Sequence, residues 1–368
     1  MSRFVRIHRF LNLVIVFMLF FIPRQHGSIT ISPECEQKWN EKDSIHIVAT
    51  LHGLNSTHNL LIMLKSLTYF RGTLRCGCPG INGYHLSTRN PISLHLIMSA
   101  STENIFHEIV YGWAKNIFDF HVYSAESYTS SLKRIPNRHP AGVWGMVKLM
   151  VPEIVPQSVE KVIILDTDTI FNADVEELWS HFSRFDEYQS IGMAFEQNPE
   201  DAYCADWQHP FMSEKGVNGG VVLIDLVKLR KIGWHQIWQE VVVNFFKTVP
   251  ELAEGEQTIM HVILQMIPQL YYKLPCEWNV QVWNANATAC CPVVWPHLPG
   301  ELKSEYDDVV PINRVKLLHY NSKIKPHFLD PKPKRRPQLA RFQPALTVEE
   351  LRIRAAEAYH IFREQSIL

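Results

Sequence analysis

Two acids set one residue apart, Asp166 and Asp168, close the apolar run Val162-Ile163-Ile164-Leu165. Successive side chains of a strand point to opposite faces, so both carboxylates point the same way where the strand opens into a loop. Hard oxygen donors in that arrangement suit Mg²⁺ or Mn²⁺, cations that keep positions open for phosphate oxygens. The competing reading is a strand end followed by an acidic turn. His319 stands in a similar place after Val315-Lys316-Leu317-Leu318, and by itself is another strand-end residue. The chain has no Ser-His-Asp grouping, glycine-flanked serine elbow or C-x-x-C pair, so triad hydrolysis and structural zinc lack their residues.

Acids at a strand end need a sheet to hold them, and the pattern upstream supplies one. Ile45 to Thr50, Leu94 to Ala100 and Phe118 to Tyr123 are strand-like, while Asn59 to Tyr69 and Glu103 to Lys115 carry apolar residues at helical spacing. Strand and helix in alternation predict an α/β domain with a mostly parallel central sheet. Ligands of such sheets bind beyond the carboxyl ends of the strands, where Asp166 and Asp168 fall. Ser190 to Glu196 and Val221 to Asp225 read as further strands, Leu226 to Phe246 and Glu256 to Met266 as helices. Gly72 to Thr88 reads as a loop insertion. A last amphipathic helix starts at Thr347, with Glu350 completing a capping box, and runs to about Arg363.

The chain has 368 residues, 46% of them hydrophobic, enough for a sizeable core, and its formal net charge of -1 offers no footprint for nucleic acid. Arg3, Arg6 and Arg9 precede the apolar run Phe10 to Pro23. That order fits a signal anchor with its cytosolic end at Met1, although the run is short against the ~20 residues of a full span. A cleaved signal peptide is the rival, and no small-x-small cleavage site follows. Either puts the remainder in the secretory lumen. The sequons at Asn55 and Asn286 and seven cysteines agree with that compartment. The expected organisation is a tail and anchor over 1–23, a stem over 24–43, a catalytic domain over 44–330, and a basic loop with a helix over 331–368.

Ile135-Pro136-Asn137-Arg138, Gly145-Met146-Val147-Lys148-Leu149, Lys161 to Trp179 and Leu274 to Val282 together resemble the xylosyltransferase module of LARGE-type glycosyltransferases. These are members of retaining family 8, which also holds glycogenin. The resemblance runs from about Ile45 to about His327. It implies a GT-A fold, Rossmann-like, that takes a nucleotide-sugar donor and usually Mn²⁺, with Mg²⁺ as the alternative. It makes Asp166 and Asp168 the metal-binding D-x-D, and His319 the third ligand within a pattern His319-Tyr320-Asn321-Ser322-Lys323-Ile324-Lys325-Pro326-His327. Serine and histidine there replace the family's glycine and tryptophan. Lys325 is implied to offset charge on the departing nucleotide. Lys148 is implied to face the donor diphosphate, with a snorkelling surface lysine as the alternative. Asn218, Gly219 and Gly220 match a donor-contacting N-x-G motif, or form a turn before a buried strand. Gly255-Glu256-Gln257-Thr258 stands where the family carries its G-D-Q or D-Q-D motif, which makes Glu256 and Gln257 the implied catalytic contacts to the donor sugar, with an exposed helix start that sets acids near its positive dipole end as the alternative. Cys276 and Cys291 match LARGE-type cysteines and are expected to form a structural disulfide, with Cys290 an equal neighbour.

The activity so implied is retaining transfer of a sugar, xylose from UDP-xylose, to a glycan hydroxyl by a Golgi type II membrane protein. The sequence matches only the first of the two LARGE-type modules, so unaided synthesis of an alternating disaccharide is not expected, and a partner glycosyltransferase is. Two alternatives stay open. The altered positions Glu256, Thr258 and Ser322 admit a weak or inactive glycan-binding member of the fold. An apolar strand with D-x-D also opens dehalogenase-type phosphatases, although Ile170 and the polar lead-in to Asp307-Asp308 fit these badly.

Overall fold

The computed structural model describes residues 44–71, 90–197, 216–282, 287–295, 313–321 and 345–364. The expected anchor and stem, the Gly72 to Thr88 loop, the basic loop, Lys325 and Asn286 lie outside these. Among the described residues no helix is long and apolar enough to cross a membrane.

A seven-stranded sheet has the order β3-β2-β1-β4-β7-β6-β8. Its strands are β1 (Ile45–Leu51), β2 (Ile92–Met98), β3 (Asp119–Ser124), β4 (Lys161–Leu165), β6 (Ile191–Phe195), β7 (Val217–Asp225) and β8 (Tyr271–Lys273). The pairs β1·β2, β2·β3, β1·β4 and β6·β8 are parallel; only β7 runs against its neighbours β4 and β6. The sheet is therefore mostly parallel, as expected. Beyond the end of β4 lies a second, three-stranded sheet in the order β5-β12-β9, made of β5 (Thr169–Phe171), β9 (Val280–Gln281) and β12 (Leu317–His319). The short strands β10 (Val293–Val294) and β11 (Asn313–Arg314) pair with each other.

The unbroken apolar run of β4 follows from burial on both faces. Val162 and Ile164 enter one core, with Val48 and Ile224, while Ile163 and Leu165 enter the other, with Ile47 and Leu223. Helices cover these faces, among them α1 (Gly53–Phe70), α2 (Leu226–Lys231), α3 (Trp234–Phe245) and α4 (Glu256–Met266). A third core beneath the small sheet contains Ile62, Ile170, Leu318 and Tyr320, together with Leu351, Ala355 and Phe362 of α5 (Val348–Glu364).

Three expectations need correction. The helix read from Asn59 starts at Gly53, because Asn55, Ser56, Thr57 and His58 are polar and the lone apolar residue before Asn59, Leu54, faces solvent outside the buried stripe. The helix read over Leu226 to Phe246 is two helices parted at Gly233, whose φ of 76° breaks the helical path. The strand read from Val221 starts at Val217, so Asn218, Gly219 and Gly220 lie within β7 and form no turn before it. The capping box at Thr347 is present: the Thr347 N–H donates to Glu350 Oε2 and the Glu350 N–H to Thr347 Oγ1.

Candidate functional site

Backbone bonds fix the acid pair from two sides. The Asp166 N–H donates to the Gly220 carbonyl at 2.9 Å, tying it to β7. The Tyr320 N–H donates to the Asp168 carbonyl at 2.9 Å, tying it to β12, where His319 pairs with Thr169. His319 Nε2 thus stands 3.5 Å from Asp166 Oδ2 and 3.6 Å from Asp168 Oδ1. Among the described residues this is the one group of three such ligands, all within 4.8 Å of one another.

The imidazole has a defined orientation. Its Nδ1 lies 3.0 Å from Asn218 Oδ1 and 3.1 Å from Asn279 Oδ1. Asn218 Oδ1 must be the oxygen, because it also accepts the Gly220 N–H, while the Asn218 amide donates to Glu196 Oε2 at 2.8 Å. Two oxygens facing Nδ1 require a proton there, and Nε2 is the ring nitrogen that faces the two carboxylates. Two carboxylate oxygens and a ring nitrogen directed at one point are held together by positive charge, whether a proton on Nε2 or a cation among them. With bonds of roughly 2.0–2.1 Å to Mg²⁺-sized ions, adjacent octahedral ligands sit about 3 Å apart, so slight contraction of this trio seats a divalent cation. Gly220 makes the arrangement possible: a Cβ there would fall 2.2 Å from His319 Cε1.

Beside the trio is a buried ion network. Lys148, 4% exposed, lies 2.7 Å from Asp166 Oδ1 and 2.8 Å from Glu256 Oε1, and donates to the Gly219 carbonyl at 3.0 Å. It does not snorkel to solvent. Burial alone would lower its pKa, but the charges of Asp166 and Glu256 outweigh that and hold it above the ordinary lysine range. Burial likewise raises Asp166, yet Lys148 and His319 pull its carboxyl well below the usual range. One Asp166 oxygen therefore faces an ammonium and the other faces the trio. Glu256 heads α4 beside Gly145, where a Cβ would fall 2.6 Å from Glu256 Oε2. The stretch around Asn137 steadies this approach: Leu252 N–H donates to the Pro136 carbonyl and Arg138 N–H to the Leu252 carbonyl. Gln257 accepts the Gly219 N–H at 2.9 Å and donates to Glu196 Oε2 at 3.2 Å.

All the expected residues that fall among the described ones, Lys148, Asp166, Asp168, Asn218, Gly219, Gly220, Glu256, Gln257 and His319, thus meet at the carboxyl end of β4. Sequence reasoning missed Glu196 and Asn279. Glu196 links Asn218 to Gln257, and Asn279 faces His319. The signal was faint: Asn279 sits inside the stretch Leu274 to Val282 that carries the resemblance, and Glu196 merely ends an apolar strand. Cys276 and Cys291 are disulfide-bonded, and Cys290 is disulfide-bonded too, so it is not a rival for Cys276. Asn55 is exposed in the first turn of α1.

Residues 97–328 match the model of glycosyl transferase family 8. The chain belongs to this family. Xylosyl- and glucuronyltransferase LARGE2 of Rattus norvegicus is 30% identical over 268 residues, covering 72% of this chain and 35% of that protein. LARGE1 of Homo sapiens is 30% identical over 298 residues, covering 79% and 34%. The chain spans about a third of the length of these relatives. In fold it resembles mouse xyloside xylosyltransferase 1, with TM-score 0.51 at 15% identity over 76% of this chain and 98% of that one. It also resembles galactosyltransferase LgtC, solved with donor and acceptor sugar analogs, with TM-score 0.54 at 16% identity over 86% and 96%. The family 8 chain therefore has a GT-A fold and is a glycosyltransferase. Its Asp-Asp-His cluster suits a divalent metal ion.

Proposed function

We propose that this chain is a retaining, metal-dependent glycosyltransferase that moves xylose from UDP-xylose to a glycan hydroxyl in the secretory pathway. The observation that carries the metal dependence is the convergence of His319 Nε2 with the carboxylates of Asp166 and Asp168. The name shared by the LARGE relatives supports xylose as donor sugar. In this reading residues 44–330 form the catalytic domain, and the basic N-terminal apolar run makes it a Golgi type II protein with 24–43 as stem. A separate glycosyltransferase acts beside it.

The cation is Mn²⁺, and when bound it supplies positive charge to the donor diphosphate. The chain's own residues do the rest. Asp166, Asp168 and His319 hold the cation's place, and Lys148 keeps Asp166 ionised and fixed. Lys325 offsets charge on the departing nucleotide, which lets the sugar take oxocarbenium character. Gly219 and Gly220 let the β7 backbone come close to the donor, with Asn218 beneath them. Glu256 and Gln257 border the sugar. The acceptor hydroxyl attacks from the departing side and passes its proton to the leaving phosphate oxygen, so catalysis rests on positioning and electrostatics.

One observation favours the weaker glycan-binding reading. Glu256 is engaged by Lys148, and Gln257 by Gly219 and Glu196, which leaves these two side chains less to offer a sugar. A panel of UDP-sugars assayed for UDP release with Mn²⁺ decides. Highest release from UDP-xylose, abolished in Asp168→Asn, is expected. Equal activity in the variant removes the metal assignment, preference for another sugar removes xylose, and no release from any donor favours the binding module.

A further inference from the structure

His319 ends a strand of three residues, and its other neighbour, β9, has two. So short a sheet has little hydrogen bonding of its own with which to hold an imidazole to the fraction of an ångström that cation binding needs. The support comes from α5, which lies beyond the residues matched to the family model. Tyr320, 2% exposed, donates its hydroxyl to the Ala355 carbonyl of α5 at 2.5 Å, while its N–H holds the Asp168 carbonyl. Tyr359 of α5 meets the Tyr320 ring edge-on at 6.0 Å. On the other flank, Arg352 Nε of α5 donates to the Val282 carbonyl at 3.2 Å, and the Val282 N–H donates to the His319 carbonyl at 3.1 Å. The helix itself is anchored on α1, where Phe362 packs on Tyr69 and Phe70 and Lys65 donates to the Arg363 carbonyl at 3.2 Å.

We propose that α5 is a positioning element for the Asp-Asp-His cluster, with Tyr320 and Arg352 as the positioning residues that hold His319 against Asp168. This rests on the metal reading given above. In the full chain without donor, Mn²⁺ affinity is read from the free-ion electron paramagnetic resonance signal, and thermal unfolding is followed without metal. Tyr320→Phe keeps the ring and removes the hydroxyl bond; Arg352→Gln cuts the other tie. Each is expected to weaken Mn²⁺ binding several-fold and the pair about 10-fold or more, as loss of outer-shell partners does. Leu229→Val, which opens a cavity under α2 by the amino end of β4 and leaves α5 untouched, is expected to lower the unfolding temperature and leave Mn²⁺ affinity unchanged. Wild-type affinity in both Tyr320→Phe and Arg352→Gln, with binding lost in His319→Ala, overturns the brace and leaves the metal reading standing. Equal binding by wild type and His319→Ala overturns both. Should Tyr320→Phe not fold, Arg352→Gln, altered on an exposed side chain, carries the test.

Discussion

Asn218 Oδ1 and His319 Nδ1 stand 3.0 Å apart across 101 positions of sequence. Because Asn218 is also bound by Asn279 Nδ2, the two amides act on the imidazole together. Asn279→Ala removes one acceptor from His319 and one donor from Asn218, and is expected to weaken Mn²⁺ affinity about 10-fold with the fold intact. Isothermal titration of the purified chain measures it, and wild-type affinity would show that the tautomer is set by other means.

Gly220→Ala is the smallest change expected to disable the cluster. The added methyl would overlap the His319 ring, which is buried and held at Nδ1 by Asn218 and Asn279. Loss of Mn²⁺ binding and of UDP release is expected, while Gly112→Ala, which meets nothing within 4 Å, serves as a neutral control.

Lys148→Met leaves Asp166 and Glu256 without their shared cation. Breaking such a buried pair costs roughly 3–5 kcal/mol, and most of that arises from the stranded carboxylates. The double variant Lys148→Met/Glu256→Gln is therefore expected to be more stable than Lys148→Met alone, a non-additivity that urea denaturation reads directly.

Acid should destabilise the domain well above the range in which carboxylates titrate. His95 is pushed down to about 3 by burial and by His121 and His46, and His181 to about 4 by burial and by Arg184 and Lys316. Both are neutral when folded and bind a proton when unfolded below the ordinary 6.5. Their contribution is complete above that pH and falls as pH drops through 6.5 toward these folded values. At pH 5 His95 alone costs about 2 kcal/mol. Urea midpoints at pH 7.5 and pH 5 check this, and His95→Gln should flatten the difference.

The Cys276–Cys291 disulfide closes a 15-residue separation. Constraint of the unfolded chain over a loop of that length contributes about 3 kcal/mol, so Cys291→Ala should lower the unfolding temperature. No change in a thermal scan would mean the unfolded chain is already constrained there.

Much of this arrangement was legible because its signals are local. The apolar run of β4 announced a strand buried on both faces, and its terminal acids announced the ligand edge. His319 was found through the pattern after Leu318, not through its own surroundings. What stayed hidden is what depends on distant pairing. The reversed direction of β7 leaves no trace in composition, and the Asn218 to Gly220 stretch reads equally as a turn. The break at Gly233 is a single glycine within a continuous helical pattern. Asn279 and Glu196 are ordinary polar residues until the fold brings the first against an imidazole and the second between Asn218 and Gln257.

The contact between Asn218 and His319 has a consequence for biosynthesis. Chains emerge from the ribosome amino end first, so both acids and all of β7 are made long before β12 and α5 can dock. The cation's pocket is therefore among the last parts of the domain to be completed, and a nascent chain stalled short of α5 would hold two acids with their imidazole unsupported.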